Sequence, residues 1–301
     1  MLRVLNITRY RTMKSYTCKS LIILLLSIFL AGCVRLITQF SPSLISNFTL
    51  TFFEECDPEL ARQSLPAELK LLEGLLKNDP QNKQLLATLS AGFTGYSMLF
   101  VEEENPERAS ELYLRARDYG LKALGRKGAF LRASSLNEDK TRTGLKTIGE
   151  REIEALFFTT MPWQAWINLN LDKPVALAQM GVAQACLERV LEINPQYFYG
   201  VPYVLMGAVL AAKPGLAGGN ALQARGYFEK AMQVTDGKFY LVQYYFARYY
   251  AVRIQDKQLF VRLLKDLTKR RPDELKEACL INAVMRQRAK TLLNVSGDLF
   301  L

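Results

Sequence analysis

NPERASELYLRARDYGL, residues 105–121, decides how this chain folds. Asn105 can accept hydrogen bonds from the free N–H groups of a first helical turn, and Pro106 suits the first helical position, where an N–H has no partner to lose. Beyond this start, Ala109, Tyr113 and Ala116 fall at i, i+4 and i+7 on one helical face, small then large then small. Small side chains let a second helix come close, and the large one between them fills the remaining gap. The same spacing returns in Ala183, Leu187 and Val190 and in Ala224, Phe228 and Ala231. A second repetition aligns LEGLLKNDPQ (72–81) with LERVLEINPQ (187–196). It predicts that one helix ends and another begins at Asp79-Pro80 and at Asn194-Pro195.

Working outward, Leu65, Leu69, Leu72 and Leu76, then Leu86, Leu89, Phe93, Tyr96 and Phe100, continue the helical period, and no strand-like alternation is sustained. The small–large–small faces resemble the second helix of a tetratricopeptide repeat (TPR), and Phe93, Tyr96, Ser97 and Phe100 fall where its first helix makes contact. Intervals of 74 and then 41 residues between the three faces make the repetition uneven. The expected fold is all-α, an irregular TPR-like array of antiparallel helix pairs over residues 51–301. The alternative is a generic antiparallel bundle, because alanines and large apolar residues at these spacings serve any helix packing.

The amino terminus reads separately. Arg3, Arg9, Arg11, Lys14 and Lys19 precede the apolar run Leu21–Ala31, and no acidic residue occurs before Glu54. That order is the secretory signal layout. The run is about half of the ~20 residues a membrane-crossing helix needs, and Arg35 blocks its extension. Leu30-Ala31-Gly32-Cys33 looks like a bacterial lipobox, which implies cleavage after Gly32 and lipid on Cys33. The expected organisation is a signal peptide over 1–32, a lipidated tether over 33–50 containing Ser41-Pro42-Ser43, and the helical domain. Val34 after the cysteine does not resemble an inner-membrane retention signal, so the periplasmic face of the outer membrane is expected. Met13 is an alternative start.

Several function classes drop out. The chain has no histidine, which removes the commonest general base and a common metal ligand, and no Cys-x-x-Cys, Gly-x-Ser-x-Gly or phosphate-loop pattern occurs. Gly215–Asn220 lacks the lysine of a phosphate loop and reads as a turn between helices. The acidic run Glu102-Glu103-Glu104 reads as solvated charge at a helix end. Removing residues 1–32 lowers the net charge from +10 to +5, and without a nucleic-acid motif the remaining excess points to no nucleic-acid partner. No catalytic constellation, cofactor or metal site is expected. Outside the signal and the lipid site, Cys56, Cys186 and Cys279 allow at most one internal disulfide. Cys186 and Cys279 lie in apolar helical patterns and are expected as buried thiols.

Glu55-x-Asp57, Leu65-Pro66, LKLLEGLL (69–76), Gly92-Phe93-x-Gly95-Tyr96, ERASELYLRARDYGL (107–121), YYAV (249–252) and Asp256-x-x-Leu259-Phe260 resemble, in this order, the T-component family of tripartite ATP-independent periplasmic (TRAP) transporters. Asn282-Ala283-Val284, Ala289, Leu292-Leu293 and Asp298-Leu299-Phe300 continue the resemblance to the carboxyl end. The resemblance implies a periplasmic lipoprotein of TPR-like helix pairs, a homo-oligomer such as a trimer, a tunnel through each subunit, and association with the solute-binding protein of a TRAP transporter. Candidate tunnel residues are Phe93, Tyr96, Tyr113, Tyr119, Trp163, Trp166, Tyr203 and Tyr245, with Phe239. The competing expectation is that these aromatics fill the layers between helix pairs. The glycine-punctuated connection from Gly128 to Gly149 is a candidate flap over the opening. The competing function is a TPR-like scaffold lipoprotein of envelope assembly with no small-molecule ligand.

Overall fold

A computed structural model describes residues 51–213 and 218–300. Among them there are thirteen α-helices and no strand: α1 (Pro58–Leu76), α2 (Lys83–Tyr96), α3 (Pro106–Ala123), α4 (Arg126–Ala133), α5 (Glu138–Leu145), α6 (Ile153–Asn168), α7 (Pro174–Leu177), α8 (Met180–Ile193), α9 (Tyr197–Ala212), α10 (Ala221–Val234), α11 (Tyr240–Tyr245), α12 (Lys257–Lys269) and α13 (Cys279–Asn294). Two helices end in a wider π turn, α2 through Ser97–Val101 and α11 through Phe246–Ala251. The signal peptide, the tether and Cys33 lie outside the described residues, as does Pro214–Ala217 in the turn before α10.

The small–large–small faces are where the helices meet. Ala109, Tyr113 and Ala116 on α3, Ala183, Leu187 and Val190 on α8, and Ala224, Phe228 and Ala231 on α10 are all buried. In this way α3 packs on α2 and α6, α8 on α6, and α10 on α9. α3 and α6 come close at Gly120, where an added Cβ would stand 2.3 Å from Thr159 Oγ1 and 3.0 Å from the Thr159 backbone. Ser90 on α2 sits at the junction of three helices, its hydroxyl 2.7 Å from the carbonyls of both Ala116 and Phe158. α2 with its π turn is the one described stretch long and apolar enough to cross a membrane, and it is mostly buried. Its apolarity follows from having helices packed around it rather than on one side.

The array closes on itself. α13 returns to α1, and a disulfide joins Cys56, just before α1, to Cys279 at the start of α13, 223 positions away. Cys279 is therefore not a free thiol; only Cys186 is free and buried among the described residues. The apolar pattern around Cys279 marked burial correctly but carried no information about its partner, which lies at the other end of the chain.

Three local expectations change. Asn105-Pro106 does open α3, with Asn105 Oδ1 accepting from Arg108 N at 3.0 Å. Asp79-Pro80 instead lies in the turn, and α2 is capped by Asn82, whose Oδ1 accepts from Leu85 N at 3.0 Å. Asn194 ends α8, and its side chain accepts from Gln196 N at 3.0 Å. α9 then opens through left-handed Phe198, Tyr199 and Gly200, with φ of 45°, 58° and 81°. Two aromatics in that region are costly. They are held by rings around them, Phe198 against Phe53, Phe157, Phe158 and Phe239 with centroids 5.5–6.3 Å apart. The Gly128–Gly149 connection holds most of α4 and all of α5, whose Leu131, Thr141 and Leu145 are buried together with Ile148. It is anchored to the core and not a loose flap.

Candidate functional site

Both π turns border one cavity. In a π turn the N–H reaches back five residues instead of four, as Glu102 N does to Ser97 O (2.9 Å) and Val252 N to Ala247 O (3.2 Å). The extra residue turns everything after it by about 100° relative to a continuous α-helix. Thr94, Met98 and Glu102 thereby form one column facing inward, and Tyr245 and Tyr249 form another. These columns, with Tyr113 of α3, Met161, Gln164 and Asn168 of α6, and Leu205, Ala208 and Ala212 of α9, enclose a volume of about 250 Å³. Exposed Asn168 and Leu171 stand on the solvent side of this lining.

The widened first turn also explains the fate of the Glu102-Glu103-Glu104 run. Carbonyls in the π turn are taken by arginines from elsewhere: Arg288 Nη2 donates to Met98 O (2.9 Å) and Leu99 O (3.3 Å), and Arg62 Nη2 to Phe100 O (3.2 Å). Arg62 also pairs with Glu104. Glu103 meets Arg288 at 3.3 Å and Arg248 at 3.4 Å. Glu102 alone turns into the cavity, where its Oε2 accepts a hydrogen bond from the buried Tyr113 hydroxyl. The run is not uniformly solvated charge, because the π turn sends its first member to the opposite side.

Three phenols share this cavity. Burial, reinforced by the Glu102 charge, holds Tyr113 well above the usual tyrosine range, and burial does the same to Tyr245. Burial pushes Tyr249 up to about 12 against the opposing pull of Arg248. All three stay protonated at physiological pH. The site can therefore hydrogen-bond a ligand through neutral hydroxyls and one carboxylate, while Met98, Met161 and Leu205 offer apolar wall. This is the composition of a small-molecule site. No group of three or more His, Cys, Asp or Glu side chains suited to a metal ion occurs among the described residues.

Of the aromatic candidates, Tyr113 and Tyr245 belong to this lining. Phe93 and Tyr119 stack 5.9 Å apart in a separate cluster with Leu69, Leu85 and Leu89. There Arg115 lies 4.5 Å from the Phe93 ring and Glu73 accepts from Tyr119 at 2.6 Å. Tyr96 packs beside Phe100. Trp163 and Trp166 are buried under Arg117, with Trp163 Nε1 donating to Gln179 Oε1 at 2.9 Å. Tyr203 faces Tyr227 at 6.0 Å, and Phe239 packs against Tyr199 at 5.1 Å. Sequence reasoning missed Glu102, Tyr249, Gln164 and Met98. The signal available for Tyr249 was its spacing of four from Tyr245; for Glu102 there was none, since its neighbours are also glutamates.

A relative from Treponema pallidum (strain Nichols), described as an uncharacterized protein, is 26% identical over 208 residues, covering 61% of this chain and 62% of that protein. The chain thus spans about three fifths of the relative's length. The family described as TRAP transporter T-component matches residues 54–300, from just before the disulfide to the last described residue. With the match running through every helix that builds the cavity, the chain belongs to the TRAP transporter T-component family.

Proposed function

We propose that this protein is a non-enzymatic accessory component of a TRAP-type transport system, and that the cavity between the two π turns holds or passes the ligand of the solute-binding subunit with which it associates. The observation carrying this reading is the cavity itself: about 250 Å³, lined by phenols, methionines and one carboxylate, at the place where the two π turns converge. π turns cost backbone regularity and recur at functional sites. Family membership supplies the transport context. The Cys56–Cys279 disulfide is chemistry of an oxidising compartment and supports placement outside the cytoplasm, with lipid on Cys33 as the anchor. Exposed Leu60 and Leu71 on α1 offer apolar surface for self-association as a homo-oligomer.

Affinity purification of the chain from its native cell, with the co-purified proteins identified by mass spectrometry, tests the association. Recovery of a solute-binding protein in a fixed ratio supports transport. Recovery with outer-membrane assembly proteins, and none of the solute-binding protein, would replace this reading with the scaffold one.

A further inference from the structure

α12 turns an unbalanced surface to solvent. Leu259, Phe260, Leu263, Leu264 and Leu267 are buried along one side, while Lys257, Arg262, Lys265 and Lys269 are exposed on the other, within an arc of about 140° at helical spacing. The charged ends of these four side chains have no ion pair or hydrogen bond among the described residues. Asp266, the one exposed acid of the helix, stands at the edge of the arc and lies 3.5 Å from Arg270. None of the exposed residues of α12 is apolar.

We infer that this face of α12 docks on an anionic lipid surface and sets how the chain lies on its membrane. This rests on the reading that lipid on Cys33 holds the chain there. In the short connection from α12 to α13, Lys276 lies 3.9 Å from Glu54, and the Cys56–Cys279 disulfide ties the start of the described chain to the start of α13. The tether therefore enters at the end of the array that carries α12. Its residues 33–50 span at most about 60 Å, so the anchor keeps the basic face near the bilayer. Lysine and arginine are drawn to anionic headgroups once they come within a Debye length, and a polybasic patch reinforces an acyl anchor. A protein partner fits this face less well. Packed interfaces centre on aromatic and apolar anchors and are poor in lysine, whereas three of the four cations here are lysines with no exposed apolar residue among them. Because α12 packs on the second π turn, a seated face also fixes how the cavity is turned toward the membrane.

The full chain purified from its native cell, placed on vesicles of phosphatidylcholine alone and of phosphatidylcholine with about a third phosphatidylglycerol, tests this. Lysine acetylation by a water-soluble ester, mapped residue by residue by mass spectrometry, reads which side chains meet the headgroups. Lys257, Lys265 and Lys269 are expected to react at least about threefold more slowly on the anionic vesicles than on the neutral ones. Salt at roughly 0.5 M should remove the difference, and exposed Lys77 and Lys146 should react alike on both. In a Lys265→Glu, Lys269→Glu double variant, Lys257 should lose its protection. Equal reactivity of the three lysines on both vesicles would overturn the docking face while leaving the anchor, which flotation with neutral vesicles reads separately. Slowing of Lys77 and Lys146 to the same extent would show attraction by net charge and remove the assignment to α12. Protection of the three lysines without vesicles, by a protein purified with the chain, would give the face to an acidic protein partner instead. Flotation with anionic vesicles alone, with the three lysines protected, would uphold the face and remove the lipid from Cys33; flotation with neither would overturn both.

Discussion

Cys56 and Cys279 are bonded across 223 positions, their Cα atoms 5.0 Å apart, so that the first helix of the array is tied to the last. In an open solenoid each repeat touches only its neighbours. Here the tie, together with Arg288 of α13 reaching the carbonyls of Met98 and Leu99, makes the ends of the array support the π turn that walls the cavity. A cross-link closing so long a loop is expected to stabilise by about 5 kcal/mol on chain entropy. Urea unfolding with and without reductant should show a loss of that order, and Cys279→Ser should match the reduced protein. Burial pushes the Cys186 thiol up to about 12, so it should stay unmodified by iodoacetamide in the native state and react only on unfolding, read by peptide mass mapping.

Helix approach at α3 should tolerate little added volume. Ala116→Leu and Gly120→Ala, the latter against the Thr159 backbone, are expected to cost about 1–3 kcal/mol, while exposed Lys83→Ala should stay within about 0.5 kcal/mol. Thermal denaturation of the three variants measures it. Equal stability of Ala116→Leu and Lys83→Ala would show that α2, α3 and α6 are not packed as described.

Much of this packing was legible in advance, because it is written in residue types at fixed spacing: alanines at 109, 116, 183, 224 and 231 could serve only close helix contacts, and each proved buried. The cavity was not legible. A π turn adds one residue without any change in composition, so Glu102 and Glu103 look alike in sequence yet face opposite ways. The left-handed Phe198-Tyr199 step is likewise invisible, since it is imposed by the surrounding rings and not favoured by its own residues. Trp163 and Trp166, three positions apart, share one helical face, but which neighbour that face meets depends on α8, whose preceding Gln179 receives the indole N–H.

Acid should act through Glu73. Burial raises this carboxyl, but hydrogen bonds from Lys70, Tyr119 and Arg115 outweigh it and leave Glu73 below the usual carboxylate range. A depressed folded-state value means the contribution is fully present above the unfolded value of about 4.3 and is lost as pH falls through the folded one. Glu73→Gln should therefore lower stability at pH 7 and flatten the acid limb of a stability–pH curve below about pH 4. An unchanged acid limb would assign that loss to other carboxylates.

The proposed lipid anchor has its own test. Metabolic labelling with palmitate should mark the unmodified chain and leave Cys33→Ser unlabelled, while the helical domain of the variant keeps its melting temperature, because the site precedes the packed helices. Equal labelling of both would remove the lipid from Cys33.

Whether the cavity is the ligand site is decided most directly by what the protein retains through purification. Small molecules extracted from the protein purified from its native cell should be identified by mass spectrometry and compared with those from Ala208→Trp, which fills the cavity from α9. The expected result is one molecular species retained near one per chain by the unmodified protein and lost from Ala208→Trp at unchanged melting temperature. The same species in equal amount on both proteins would contradict the account.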